Sequence, residues 1–234
     1  MASASLIERI GRSALDFVFP PRCTGCGVDG TFLCEICIAS LRRAVPPRCG
    51  RCWRPGVGET CIICQVEPPP FDGLRAACVY EGLARDLVHA LKYRGMTALV
   101  PSIGALCTDA LRAEDHGFDV VVPVPLHGAR KRARGYNQAE LLAKYVGGQL
   151  EIPVESGGLE RHRPTSQQAR SSDAQERQRN VAGAFRGRPK LVEGRSVLLI
   201  DDVTTTGATL TACTEALKEA GAGTVWAFAY GRED

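Results

Sequence analysis

The chain has no long apolar run, almost no net charge and no secretion signal. No stretch of its 234 residues approaches the ~20 consecutive apolar positions a bilayer-spanning helix needs, so membrane insertion is not expected. Lysine and arginine outnumber aspartate and glutamate by 29 to 26, a surplus too small to argue for nucleic acid by itself. Leu6 to Phe19 spaces apolar residues helically, but Glu8, Arg9, Arg12 and Asp16 interrupt it. That makes a poor signal peptide; an amphipathic helix over residues 1–20, packed on the body of a cytoplasmic protein, is expected. Residues 21–66 lack aliphatic periodicity and are rich in Cys, Gly, Pro and Arg. Such a segment cannot bury enough apolar surface to fold alone, and a structural metal would supply the missing free energy.

Cysteine is the residue the chain does not lack. Of eleven, eight form four Cys-x-x-Cys pairs: Cys23/Cys26, Cys34/Cys37, Cys49/Cys52 and Cys61/Cys64. Cys78, Cys107 and Cys213 stand alone in apolar or helical surroundings. Without a secretion signal, pairs at this spacing point to metal rather than disulfides. Zn²⁺ takes four thiolates in a tetrahedron, and each knuckle presents two sulfurs, so four knuckles make two structural Zn²⁺ sites. Sequential and cross-braced pairing of the knuckles both remain open. Iron–sulfur motifs arrange their thiolates differently, and four redox-active dithiols in a row would be odd.

Pro68–Pro70 mark a stiff linker over 67–73, separating a Cys-rich domain (21–66) from a larger one (74–234). In the latter, Leu74–Tyr80 reads as a strand and Leu83–Tyr93 as a helix with Gly95 beyond its end. A second helix follows near Leu99–Arg112. Val120–Val122 give a buried strand stopped by Pro123-Val-Pro-Leu126, then a basic segment with Arg130, Lys131, Arg132 and Arg134. A solvated loop is the ordinary reading of such a charge run. Gly135-Tyr-Asn-Gln138 opens a helix to about Leu150. Leu159–Gly187 suggests no early secondary structure, with a short helix over Ala174–Ala182 and Phe185 anchoring the return. Arg-rich and polar, the segment is long enough to be a lid that excludes water from a site. A last strand covers Thr224–Tyr230. Strands and helices in this order make a parallel sheet whose crevice lies at the carboxyl ends of the strands.

The organising stretch runs from Val197 to Leu210. Val197, Leu198, Leu199 and Ile200 form a short apolar run suited to a strand buried on both faces. Asp201 and Asp202 follow, then Thr204, Thr205, Thr206 and Gly207 before a helix over Ala208–Ala220. Loop amides and the positive helix end favour a phosphate, threonine hydroxyls add donors, and Gly207 lets the backbone approach closely. The aspartates stand where a ribose diol could donate to them.

Leu199-Ile-Asp-Asp202 followed by Thr206-Gly-Ala-Thr209 resembles the phosphoribosyl-diphosphate (PRPP) motif of type I phosphoribosyltransferases. The resemblance implies an α/β fold: a type I phosphoribosyltransferase-like parallel sheet with flanking helices, preceded by a small zinc-ribbon domain. It also implies PRPP as ligand and Mg²⁺ as its companion. Asp201 and Asp202 would hold the 2′ and 3′ hydroxyls, and Val203, Thr204, Thr205, Thr206, Gly207, Ala208 and Thr209 would form the PRPP loop. The turn Val124, Pro125, Leu126, with Lys92, Arg132 and Arg177, is the candidate pyrophosphate and lid contact.

Over nearly its whole length the chain is similar to the ComF family (ComFC/GntX-like). The match rests on the four knuckles, Leu91-Lys92-Tyr93, Arg134-Gly-Tyr-Asn-Gln138 and the Asp201-Asp202 motif, with Tyr136 where many members have Phe. The resemblance implies PRPP/Mg²⁺ binding, phosphoribosyl transfer to an acceptor it does not name, and a link to competence and DNA uptake in natural transformation. The alternative it leaves is a non-catalytic PRPP-sensing or single-stranded-DNA-binding accessory, working with other competence proteins.

Overall fold

The computed structural model describes residues 20–56, 59–114, 116–163, 181 and 183–234. They group into two compact units, one ending at Leu41 and one running from Arg42 to Asp234. The expected helix over Leu6–Phe19 lies outside the described residues.

The first unit is a pair of cysteine knuckles. Cys23 N donates to Val28 O and Gly27 N to Cys23 O, both at 2.9 Å, closing the first turn. A one-and-a-half-turn helix, α1 (Glu35–Ser40), starts directly after Cys34 and buries Cys37.

The second unit begins with two further knuckles, the last of them capped by α2 (Ile62–Val66). Pro68–Pro70, expected as a linker, lie inside this unit, where Arg51 Nη2 donates to Pro69 O at 3.0 Å. Arg51 O accepts from Leu74 N at 2.8 Å, which ties the knuckles to the first strand.

From there the chain runs β1 (Gly73–Val79), α3 (Gly82–Tyr93), a 3₁₀ turn at Thr97–Leu99, α4 (Val100–Arg112) and β2 (Val120–Pro123). It continues with α5 (Gly128–Arg134), α6 (Gln138–Leu150), β3 (Leu159–Arg161), β4 (Phe185–Gly187), α7 (Pro189–Val192), β5 (Ser196–Thr204), α8 (Ala208–Glu219) and β6 (Thr224–Arg232). Four strands make one all-parallel sheet in the order β1-β6-β5-β2. Val197 to Ile200 are at most 1% exposed, so both faces of β5 are covered, as an apolar run without alternation requires. Each such side chain contributes roughly 1.5–3 kcal/mol of burial.

Three local expectations change. The basic segment is a helix, α5, not a loop: His127 caps its start and Gly135, at φ +85°, ends it in the left-handed conformation. It presents no buried residue, so no apolar period announces it. Leu159–Arg161 is a strand, paired antiparallel with Phe185–Gly187. And β5 does not stop at Ile200; it stays paired with β6 as far as Thr204 opposite Arg232, leaving only Thr205–Gly207 as loop. Val181, the one described residue of the expected helix over Ala174–Ala182, is helical; the rest of that span and Arg177 lie outside the described residues.

Candidate functional site

At the carboxyl ends of β2 and β5 lies a cleft of about 590 Å³. Asp201, Asp202 and Val203 form its floor, and the turn Val124–Leu126 forms one side. Lys92 and Tyr93 enter from the end of α3, Arg130 and Arg134 from α5, and Arg161 from β3.

Strand alternation sets the floor. Asp202 and Thr204 are each 3% exposed, while Asp201 and Val203 are half-buried. A carboxylate so buried needs a counter-charge, and Lys92 supplies it: Nζ stands 3.0 Å from Asp202 Oδ2. Burial lowers the pKa of Lys92, but the charges of Asp202 and Asp201 outweigh it, and the net shift is upward. Asp201 is pushed up to about 7, first by burial and then by the neighbouring Asp202, with Lys92 opposing both. Its Oδ1 accepts from Asp202 N at 2.8 Å. Two adjacent carboxyls with one shared cation thus hold one group near neutrality in titration and the other in an ion pair.

The side turn is held by Asn137, itself 5% exposed. Its Nδ2 donates to Val124 O at 2.9 Å, and its Oδ1 accepts from Ala139 N at 3.1 Å to cap α6. One side chain therefore fixes both the turn and a helix start. Tyr136 OH donates to Leu91 O, and Arg134 Nη1 donates to Gln138 Oε1. The Arg134 guanidinium lies 5.7 Å from the centre of the Tyr93 ring, and that of Arg161 lies 5.2 Å from the Phe185 ring.

Of the residues singled out from sequence, Lys92, Val124, Pro125, Leu126, Asp201, Asp202, Val203 and Thr209 line this cleft. Thr204 is buried in β5. Gly207 adopts φ +86° immediately before α8, a conformation a side chain would strain. Thr206 and Ala208 line a separate, smaller cavity. Arg132 is exposed on α5 and is not part of the cleft wall. Arg130, Arg134, Arg161, Tyr93 and Asn137 complete the cleft without having been singled out for it. The cue for the first two was the run Arg130–Arg134, and for Arg161 the arginine-rich segment expected as a lid; its three-residue strand gave no cue of its own.

Each unit also carries a cluster of four thiols. Cys23, Cys26, Cys34 and Cys37 form one, and Cys49, Cys52, Cys61 and Cys64 the other, with all sulfurs of a set within 4.8 Å of one another. Pairing of the knuckles is therefore sequential. Cys26 and Cys34 sulfurs are 3.6 Å apart, and those of Cys52 and Cys61 are 3.7 Å apart. Zn–S bonds of ~2.3 Å in a tetrahedron put sulfurs about 3.8 Å apart, so both clusters have the dimensions of a zinc ribbon site. Cys34 N and Cys61 N point at Cys23 Sγ (3.4 Å) and Cys49 Sγ (3.3 Å). Burial would raise both thiols, but such backbone donors prevail and bring Cys23 and Cys49 down to about 6.

Among the described residues, no helix is long and apolar enough to cross a membrane. Residues 114–229 match the phosphoribosyl transferase domain. The chain is 30% identical to the DNA utilization protein YhgH of Salmonella typhimurium, over 82% of this chain and 87% of that one. It is 29% identical to competence protein F of Haemophilus influenzae, over 81% and 85% of the two chains. With the Bacillus subtilis competence protein ComFC the identity is 28%, over 81% and 79%. Two Cys₄ clusters ahead of and beside a parallel phosphoribosyltransferase sheet, together with these relatives, establish that the chain belongs to the ComF family.

Proposed function

We propose that the α/β body binds PRPP with Mg²⁺ and transfers its phosphoribosyl group to an acceptor. The observation that carries this reading is the Lys92–Asp202–Asp201 constellation at the end of the central strand β5, facing a cleft ringed by arginines. Asp201 and Asp202 accept hydrogen bonds from the ribose diol. Amides of Thr205–Thr209, at the amino end of the twelve-residue helix α8, take the 5′-phosphate. Lys92 and the Val124–Leu126 turn face the pyrophosphate, with Arg130 and Arg161 in place of the outward Arg132. Two hard carboxylates beside a space for phosphates suit Mg²⁺, which keeps waters and takes one or two protein oxygens. Bound there, it would neutralise the departing pyrophosphate. Zinc in both cysteine quartets is structural, since four thiolates leave no open position. Thiol clusters of this kind belong in a reducing compartment, which supports a cytoplasmic location.

The names of the relatives, competence protein and DNA utilization protein, support a role in DNA uptake. Calorimetry of PRPP·Mg²⁺ against the wild type and the Asp201→Asn/Asp202→Asn variant tests the binding; equal affinity would sink it. A second reading, a PRPP sensor or single-stranded-DNA accessory without turnover, is favoured by one feature. Tyr93 is 66% exposed at the cleft rim beside Arg134, a pairing on which a base could stack. Pyrophosphate release with candidate acceptors decides between them: release supports transfer, and none with any acceptor supports the accessory.

A further inference from the structure

Three connections run from the cluster Cys49, Cys52, Cys61 and Cys64 to the end of β5 that leads into Thr205–Gly207. Arg48, one residue before Cys49, is 5% exposed at its side chain and grips both carboxylate oxygens of Asp234 at 2.7 Å. The residue before Asp234, Glu233, donates its N–H to Thr204 O at 2.9 Å. Arg232 is 3% exposed and stands opposite Thr204 in the sheet. Finally, a cavity of about 250 Å³ has Cys52, Cys64 and Pro70 among its lining together with Thr206, Ala208 and Thr211.

The charges explain why these parts belong together. Arg232 is lowered first by burial and also by Arg54 and Arg48, while Cys52 and Asp234 push it back up. Arg48, Arg54 and Arg232 therefore crowd one region, where Asp234, held by Arg48, is the carboxylate that acts on Arg232. An unpaired buried guanidinium is strongly destabilising. Four thiolates around Zn²⁺ would carry two net negative charges, and beside Cys52 these would add to the compensation that Asp234 gives Arg232. Four neutral thiols would not supply it.

We propose that the metal-loaded second cysteine cluster sets the position of the Thr205–Thr209 loop, with Arg232 as the positioning residue that couples the two. The loop's ligand rests on the PRPP reading above; the coupling itself does not. Hydrogen exchange of the full zinc-loaded chain reads the loop amides directly, and chelator competition reads zinc release. In Arg232→Met, exchange at Thr205–Thr209 and zinc release should both rise on the order of tenfold, since local opening free energies fall when a buried contact is lost. Arg232→Lys, which keeps the charge, should stay within about threefold of wild type. Should Arg232→Met fail to fold, Asp234→Asn, which loosens Arg48, carries the same expectation. Unchanged loop exchange in the charge-removing variant, or equal losses in Arg232→Lys and Arg232→Met, would overturn the coupling. Adding PRPP·Mg²⁺ to the wild type separates the two ideas: failure to protect the loop counts against PRPP and leaves the exchange result standing.

Discussion

Lys92 Nζ lies 3.0 Å from Asp202 Oδ2, across the floor of a cleft that buries the carboxylate almost completely. Removing the lysine leaves a buried charge without a partner. Lys92→Ala should lower stability by about 3 kcal/mol, read as a urea midpoint shift with unchanged slope. Lys92→Met combined with Asp202→Asn should recover most of that loss, since neither charge remains. A single substitution with no effect on the midpoint would show that the pair is not a buried one in solution.

Asp201 gives a pH signature of the opposite sign to most carboxylates. Its folded pKa, about 7, is above the unfolded value of about 3.9. The folded state therefore binds more protons between those values, and this group's contribution falls as pH rises from about 4 to about 7. Urea titrations of wild type and Asp201→Asn should converge near pH 4 and diverge towards pH 7, with the variant relatively more stable at the upper end. Parallel curves would place the Asp201 pKa in the ordinary range.

At Gly187 a β-carbon would lie 2.4 Å from Ala216 O and 2.6 Å from the Ala220 side chain. β4 can approach α8 this closely only without a side chain there. Gly187→Ala should cost about 2 kcal/mol or more, because a backbone carbonyl in a helix cannot step aside. Thermal unfolding measures it; an unchanged midpoint would refute the close approach.

Sequential pairing of the knuckles makes a stoichiometric prediction. The wild type should bind two zinc ions. Cys23→Ser with Cys34→Ser, both in one quartet, should leave about one, whereas Cys23→Ser with Cys49→Ser should leave about none. Native mass spectrometry or atomic emission counts them. One ion retained in the second double variant would argue against the assignment.

How much of this could be read from the sequence depended on whether a feature had a period or a partner. The apolar run Val197–Ile200 announces β5 because two covered faces need no alternation. Its continuation through Asp201–Thr204 is silent, since polar residues at a strand end look like loop until β6 is known to pair with them. α5 was hidden for a related reason: Gly128–Arg134 buries nothing, and its limits are set by His127 and Gly135. Arg161 owes its place in the cleft to pairing with Phe185, across a long separation in sequence. Spacing marked all eight cysteines as candidate ligands, but only the folded chain could say which four meet.

The sheet order β1-β6-β5-β2 puts the last strand of the chain between the first and the third to form. During vectorial synthesis, β1 emerges early yet has no partner in this sheet until Thr224–Arg232 follows. The β5–β2 pair likewise waits with one edge open. Assembly of the sheet is thus a closing event, and a nascent chain stalled between β5 and β6 would expose the β6-facing edges of β1 and β5 at once. Such edges recruit other chains, so this protein's vulnerability to aggregation is concentrated in the interval before its final strand is made.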